Sequence, residues 1–370
     1  MVTFDPRAAK LEVSSIFAAL LLVLIALLGG CAGPQEKADE RKIQTLWPEP
    51  PERPRYRFVT FLRSLSDIRA EDEDERLQRV LTGRSAREER IYGSPADVAA
   101  RNGRIYIADP LQNAIVVFDV PRRKVFRFGV REPNRLQRPA ALAIDGLGRV
   151  YVLDSQAKKV MVFDGLGLYQ SEFRLEEDFA KPVGIAVDPA GERIYVVDRG
   201  SLNGDDHKVV VFGPSGERKL VLGSRGEGPG EFSIPLTAEV GPDGALVVLD
   251  AGNFRVQIFD REGTFVRQFG SAGNGLGQFS RPRGLAVDGE GRIYVSDANF
   301  NNLQIFDWDG QLLMTIGRPD PRGAPGEFSL IGQLAADASG YLYVADLFFR
   351  KVEVYDHLSD AQAARYMPAR

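Results

Sequence analysis

The sequence predicts an all-β fold in which six four-stranded antiparallel sheets pack radially into a closed ring. Three recurring markers predict it. Pro95, Pro139, Pro182, Pro235 and Pro282 share one register, with Ile331 in the sixth copy, at spacings of about 43 to 53 residues, the period of propeller blades. An aspartate recurs at Asp109, Asp154, Asp198, Asp250, Asp297 and Asp346. An aromatic recurs at Phe118-Asp119, Phe163-Asp164, Phe212-Gly213, Phe259-Asp260, Phe306-Asp307 and Tyr355-Asp356.

Each copy divides into strands and turns. Val295 and Ile305 lie in runs rich in β-branched and aromatic residues, the strand signal. Thr264 to Phe269 supplies a fourth strand of the same kind. Asp188-Pro189-Ala190-Gly191 and Asp260-Arg261-Glu262-Gly263 are compact hairpin connections. A lone four-stranded meander cannot bury both faces. Radial packing hides the faces and leaves only short edges, so a six-bladed β-propeller is predicted.

The closure is also readable. The sixth copy has three strands, after which His357 to Arg370 is short and polar and contains Pro368. Tyr56-Arg57-Phe58-Val59-Thr60-Phe61-Leu62 is the candidate for the missing outer strand. It would leave no open edge in the last blade. Leu77, Val80 and Leu81 stand at helical spacing before Gly83, predicting a short helix over about 72–82 that lies across one face. The expected organisation is a leader over 1–30, a Pro-rich tether over 31–55, the propeller over 56–358 with blades from about 92, and a tail over 359–370; the alternative for Trp47 is docking on the fold or the membrane surface.

Arg7 and Lys10 precede an uncharged run, Ile16 to Leu28. That run is too short for a spanning helix, which needs about 20 residues. It ends in Leu28-Gly29-Gly30-Cys31, and Cys31 is the only cysteine. The segment resembles a bacterial lipoprotein signal with its lipobox. By that resemblance Cys31 becomes the acylated mature N-terminus. Two or more acyl chains anchor durably where one is marginal. Ala32 rather than Asp follows, which resembles an outer-membrane address facing the periplasm more than an inner-membrane one. The alternative is an ordinary signal peptide followed by an idle cysteine.

The formal net charge is -4, which does not favour nucleic acid, whose binding needs clustered Lys and Arg. With no cysteine after Cys31, neither a disulfide framework nor a thiolate metal site can form.

The copies resemble NHL repeats. The motifs are Pro-x-Gly-(Ile/Leu)-Ala-Val-Asp, Ile-Tyr-Val-x-Asp and Gln-Ile-Phe-Asp, clearest in Phe279 to Asp307. The loops Gly223 to Phe232 and Gly270 to Phe279 match that family's inter-repeat turn. The resemblance covers roughly Tyr92 to Asp356. It weakens in copy one, at Ala96-Asp97-Val98, and in copy six, which lacks the proline. With the leader, the whole resembles a bacterial NHL-repeat lipoprotein.

Function must come from sites, since this fold hosts enzymes and binding modules alike. Lys159, Lys208, Arg255 and Lys351 align just before the third strand, with Ala114 and Asn302 in the other copies. This predicts a partial basic ring on one face, with Arg283, at the start of an inner strand, near its centre. Such a ring would receive an anionic patch on a partner or a carboxylated ligand. The alternative is solvated charge that keeps strand ends soluble. The third copy has a longer loop, in which Asn203, Asp205, Asp206 and His207 offer ligands for a hard cation such as Ca²⁺. A plain surface insertion is the competing reading. The six-fold aspartates read as turn caps, because a catalytic acid should be singular.

The amidating lyases that share this fold use a histidine-ligated metal. His207 and His357 are the only histidines here, so a three-histidine site cannot be built. A lactonase-like calcium site needs acids and amides on the inner strands. Those strands start at Ala96, Ala140, Val183, Leu236, Arg283 and Gly332, with Asp97 and Gln333 as the polar exceptions. No phosphate-binding loop or nucleophile elbow is present. The expectation is a lipid-anchored, non-catalytic binding scaffold of the bacterial envelope, holding a protein or an envelope polymer and needing no cofactor beyond that Ca²⁺ option. The alternative is a hydrolase or lyase with a divalent metal in the central channel. RNA binding is a weaker third.

Overall fold

The computed structural model describes residues 45–82, 89–201 and 204–367. Cys31 and Asn203 lie outside them. The chain forms six antiparallel sheets in sequence order. In each blade the strands are lettered a to d from the axis outward. The inner a strands are Asp97–Arg101, Pro139–Ile144, Pro182–Val187, Pro235–Val240, Pro282–Val287 and Ile331–Ala336. Each packs on the next, and that of blade 6 packs on that of blade 1, closing the ring.

The recurring aromatics Phe118, Phe163, Phe212, Phe259, Phe306 and Tyr355 are all buried between blades. Each full burial stabilises the fold by about 1.5–3 kcal/mol. The recurring glutamine of the third strand has a structural reason. Gln304 accepts from Gly277 N at 2.8 Å and donates to Gln278 O at 2.7 Å. Gln257 does the same to Gly230 N and Glu231 O. Each glutamine clasps the d–a loop that precedes its own blade.

Tyr56–Leu62 pairs antiparallel with Lys351–His357, from Tyr56↔His357 to Leu62↔Val352. The predicted closing strand is therefore in place. The tether expectation fails from Thr45 onward. Leu46–Trp47 adds a fifth strand to blade 6, and Trp47 meets Tyr355 edge-on at 5.2 Å between centroids. An aromatic with a buried face gains more from packing than a tether gains from freedom. The C-terminal tail also folds back. Ser359 caps a short helix, Asp360–Ala363, and Leu358 and Ala363 pack on Leu46.

The predicted helix spans Glu73–Thr82. Glu75 N donates to Asp72 Oδ1 and Asp72 N donates to Glu75 Oε2, a capping box. Val80 and Leu81 stay exposed, so these two side chains do not lie against a face as expected.

Candidate functional site: a cationic cavity on the axis

The d–a and b–c loops share one end of the ring. The six recurring aspartates at the end of strand b are fully buried. Asp297 accepts from the backbone of Ser280, Arg281, Asn299 and Phe300. Asp109, Asp154, Asp198, Asp250 and Asp346 hold their own d–a loops in the same way. Each of these carboxylates accepts from the backbone N–H groups of its loop, as turn capping requires, and Asp250 accepts from the side chains of Asn253, Arg255 and Gln257 as well.

The expected basic ring is not displayed on that face. Lys351 is buried; its Nζ lies 2.5 Å from Glu353 and donates to Gly323 O and Glu327 O at 2.9 Å. Arg255 is buried against Asp250 at 2.8 Å and donates to Glu227 O, Gly228 O and Glu231 O. Lys208 pairs with Asp178 at 2.5 Å and lies over the Phe179 ring. Lys159 pairs with Glu172 at 2.7 Å. A long cation at the start of strand c reaches inward to loop carbonyls or outward along strand d. In both directions it meets an acceptor before it meets solvent.

The fifth predicted cation, Arg283, behaves differently. Strand a of blade 5 shifts register between Pro282 and Gly284. The bulged residue is left unpaired and is re-aimed, so Arg283 points into an axial cavity of roughly 720 Å³. The approach of blades 5 and 6 is close: a Cβ on Gly284 would collide with Gly332 O and stand 2.8 Å from Gln333 Cα. Ser296 locks the approach, accepting from Gly284 N at 2.8 Å and donating to Gly332 O at 2.6 Å. Arg283 and Gln333 are thereby held on adjacent inner strands of one cavity wall.

Arg138, Lys158, Lys181 and Arg199 share that lining with Arg283, and no acid does. Lys158 Nζ donates to Phe179 O at 2.6 Å. The side chains of Arg138, Lys181, Arg199 and Arg283 make no hydrogen bond or ion pair with the described residues. Burial, and then the charges of Arg281 and Arg199, pull the Arg283 guanidinium below its ordinary pKa. Sequence reading found Arg283 but missed Arg138, Lys181 and Arg199. These stand in turns at the strand a and strand b ends, where charge looks ordinary.

Two carboxyls stand on the inner strands outside that lining. Asp97 Oδ2 accepts from Leu142 N at 2.8 Å and so ties blade 1 to blade 2. Burial pushes Asp97 up to about 7. Glu239 has no hydrogen-bond partner among the described residues; burial, and then the Asp97 charge, push it up to about 8. A signal for Glu239 existed. Its register holds alanine in every other copy, at Ala99, Ala143, Ala186, Ala286 and Ala335.

The blade 3 loop satisfies itself. His207 is buried; its Nδ1 accepts from Ile234 N at 3.0 Å. Nε2 therefore carries the proton toward Ser201 O at 3.1 Å. Burial raises Asp206, but hydrogen bonds led by the Ser201 backbone N–H win and hold it below the usual carboxylate range. Asp205 is exposed. Asp205, Asp206 and His207 are thus divided between internal bonds and solvent. Among the described residues no three His, Cys, Asp or Glu side chains converge as metal ligands.

Ring closure, blade number and axial cavity define a six-bladed β-propeller protein. The NHL repeat family model matches residues 279–306, which span the a to c strands of blade 5. Solved structures share the fold. A Bacteroides thetaiotaomicron protein of unknown function is 20% identical, with a TM-score of 0.59 over 81% of this chain and 76% of that one. Virginiamycin B lyase from Staphylococcus aureus is 15% identical, with a TM-score of 0.51 over 72% and 96%. A chain of a nidogen–laminin complex is 17% identical, with a TM-score of 0.50 over 65% and 83%. At these identities the likeness concerns the fold.

Proposed function

We propose that the protein is a lipid-anchored, non-catalytic binding scaffold of the bacterial cell envelope that holds a protein or polymer partner on its d–a and b–c loop face. NHL propellers serve commonly as protein-interaction scaffolds, and the lipobox at Cys31 supports the anchor. The observation that carries the reading is the axial cavity. It gathers positive charge from blades 2, 3 and 5 with no acid in its lining. Unneutralised charge in a concave, low-dielectric wall focuses potential outward and attracts an anionic group.

The metal-dependent hydrolase or lyase reading would draw on Asp97 and Glu239. No third ligand of the usual kind joins them among the described residues. Asp97, moreover, is already occupied by two backbone N–H groups.

The test is crosslinking and pull-down from the native envelope, comparing the parent with an Arg283→Glu, Arg199→Glu, Lys181→Glu variant. A stoichiometric partner lost only in the variant supports the scaffold and its face. A partner retained by the variant refutes the face, and no partner in either sample refutes the scaffold. Cys31→Ala should abolish acyl-lipid labelling in the native host; an unlabelled parent would remove the anchor.

A further inference from the structure

We infer that the axial cavity is a binding site for a compact oxyanion with at least two negative charges, a polycarboxylate or a phosphate ester, held by Arg283 and Arg199 with Lys181 and Arg138 at the rim. The inference rests on the reading above that this is the binding face, and it names the chemistry the face accepts. The roughly 720 Å³ volume lies within the range of small-molecule sites. A second lobe of roughly 300 Å³ opens beside Lys181 and Arg199.

The charge balance argues for more than one negative charge. Four cations face the cavity without acceptors among the described residues, and the charges that act on Arg283 are those of Arg281 and Arg199. A guanidinium keeps its proton in a protein and presents five N–H donors. Half-buried and unpaired, it lacks the compensation that burial of charge requires. A monoanion would leave most of that charge unopposed; a dianion or trianion would offset half of it or more.

The geometry argues for an oxyanion. A planar guanidinium fork matches carboxylate and phosphate oxygens bidentately. The Arg283 position is also singular. Its register holds Ala96, Ala140, Val183, Leu236 and Gly332 elsewhere, so the repeat pattern does not call for a charge there. The Gly284 close approach and the Ser296 bridge hold this arginine on a rigid strand rather than a loop. Gln333 on the neighbouring strand adds an uncharged hydrogen-bonding group to the lining.

The experiment is calorimetric titration of the detergent-solubilised full chain with citrate and with pyrophosphate, and with glycerol as the uncharged control. The parent should bind at least one anion at a single site, more weakly as salt rises. Arg283→Gln/Arg199→Gln should bind at least ten-fold more weakly. Arg283→Lys should fall between them, keeping the charge but losing the fork. The double variant should melt no lower than the parent without ligand, which separates lost binding from lost folding. Preference for citrate or pyrophosphate distinguishes the carboxylate from the phosphate source. Equal binding by parent and double variant, or binding of neither anion by the parent, overturns the inference. If neither anion binds while the envelope partner is still lost in the charge-reversal variant, the scaffold reading stands and only the oxyanion assignment falls.

Discussion

Replacing Lys351 by methionine should destabilise the propeller by about 3–5 kcal/mol, the range for breaking a buried ion pair. Methionine keeps most of the apolar stem, so the loss is the charge. Lys351 is 2% exposed. It ties Glu353 to the carbonyls of Gly323 and Glu327. Its ammonium also lies 5.0–5.5 Å from the rings of Phe61, Phe328 and Phe349, and Phe61 belongs to the closing strand. The variant leaves the Glu353 carboxyl with Tyr355 and Gly326 N as partners. Burial already raises Glu353, with Lys351 opposing it. Without the lysine Glu353 protonates, which caps the loss near the upper figure. For a domain of this size about 1.5–2 °C accompanies each kcal/mol, so thermal melts at pH 7 should fall by about 5–10 °C. Lys351→Met/Glu353→Gln should recover part of the difference, because no unpaired charge remains. A variant that melts within about 1 °C of the parent would refute the internal role and return Lys351 to the surface ring, where substitutions stay within about 0.5 kcal/mol.

Glu239→Gln should make stability less dependent on pH. A carboxyl held near 8 in the fold keeps its proton while the unfolded group loses its own near 4. Parent stability should therefore fall as pH rises from about 4 through 8, and the variant should exceed it by a few kcal/mol at pH 8.5 but not at pH 4. Denaturation at the two pH values checks this, and an equal difference at both would contradict it. Gly284→Ala forces a methyl against Gly332 O and Ser296 and should lower stability by about 1–3 kcal/mol, read by urea titration. Deleting 56–62 opens the edge of blade 6 and exposes Val352 and Tyr355. The truncated chain should lose its cooperative melt and aggregate, as seen by near-ultraviolet dichroism and gel filtration; a melt like the parent's would remove the closure assignment.

Much of the fold was legible because its signals are local and repeated. The aspartate marker reports a contact within one blade, and the proline and aromatic markers recur at the blade period. Gly284 was readable as part of the Pro-x-Gly motif, although its reason, the close approach to Gly332, is a contact between blades. The strand at Leu46–Trp47 carries no local signal. Trp47 gains its partner, Tyr355, from the far end of the chain.

The candidate site was legible only in part. Arg283 and Asp97 stood out as departures from the repeat, and Glu239 stood out equally and was overlooked. The basic register at Lys159, Lys208, Arg255 and Lys351 misled, because recurrence there serves the blade itself. Lys351 and Arg255 find carbonyls 24 to 28 residues earlier in the chain.

By itself the sequence determined the repeat period, the number of blades and the strand that completes the ring, since each is written in neighbouring residues. Only the tertiary structure decided which cations are neutralised and which stay free. Neutralisation depends on acceptors brought within about 3 Å by folding, and Arg138, Lys181, Arg199 and Arg283 line the axial cavity without one among the described residues.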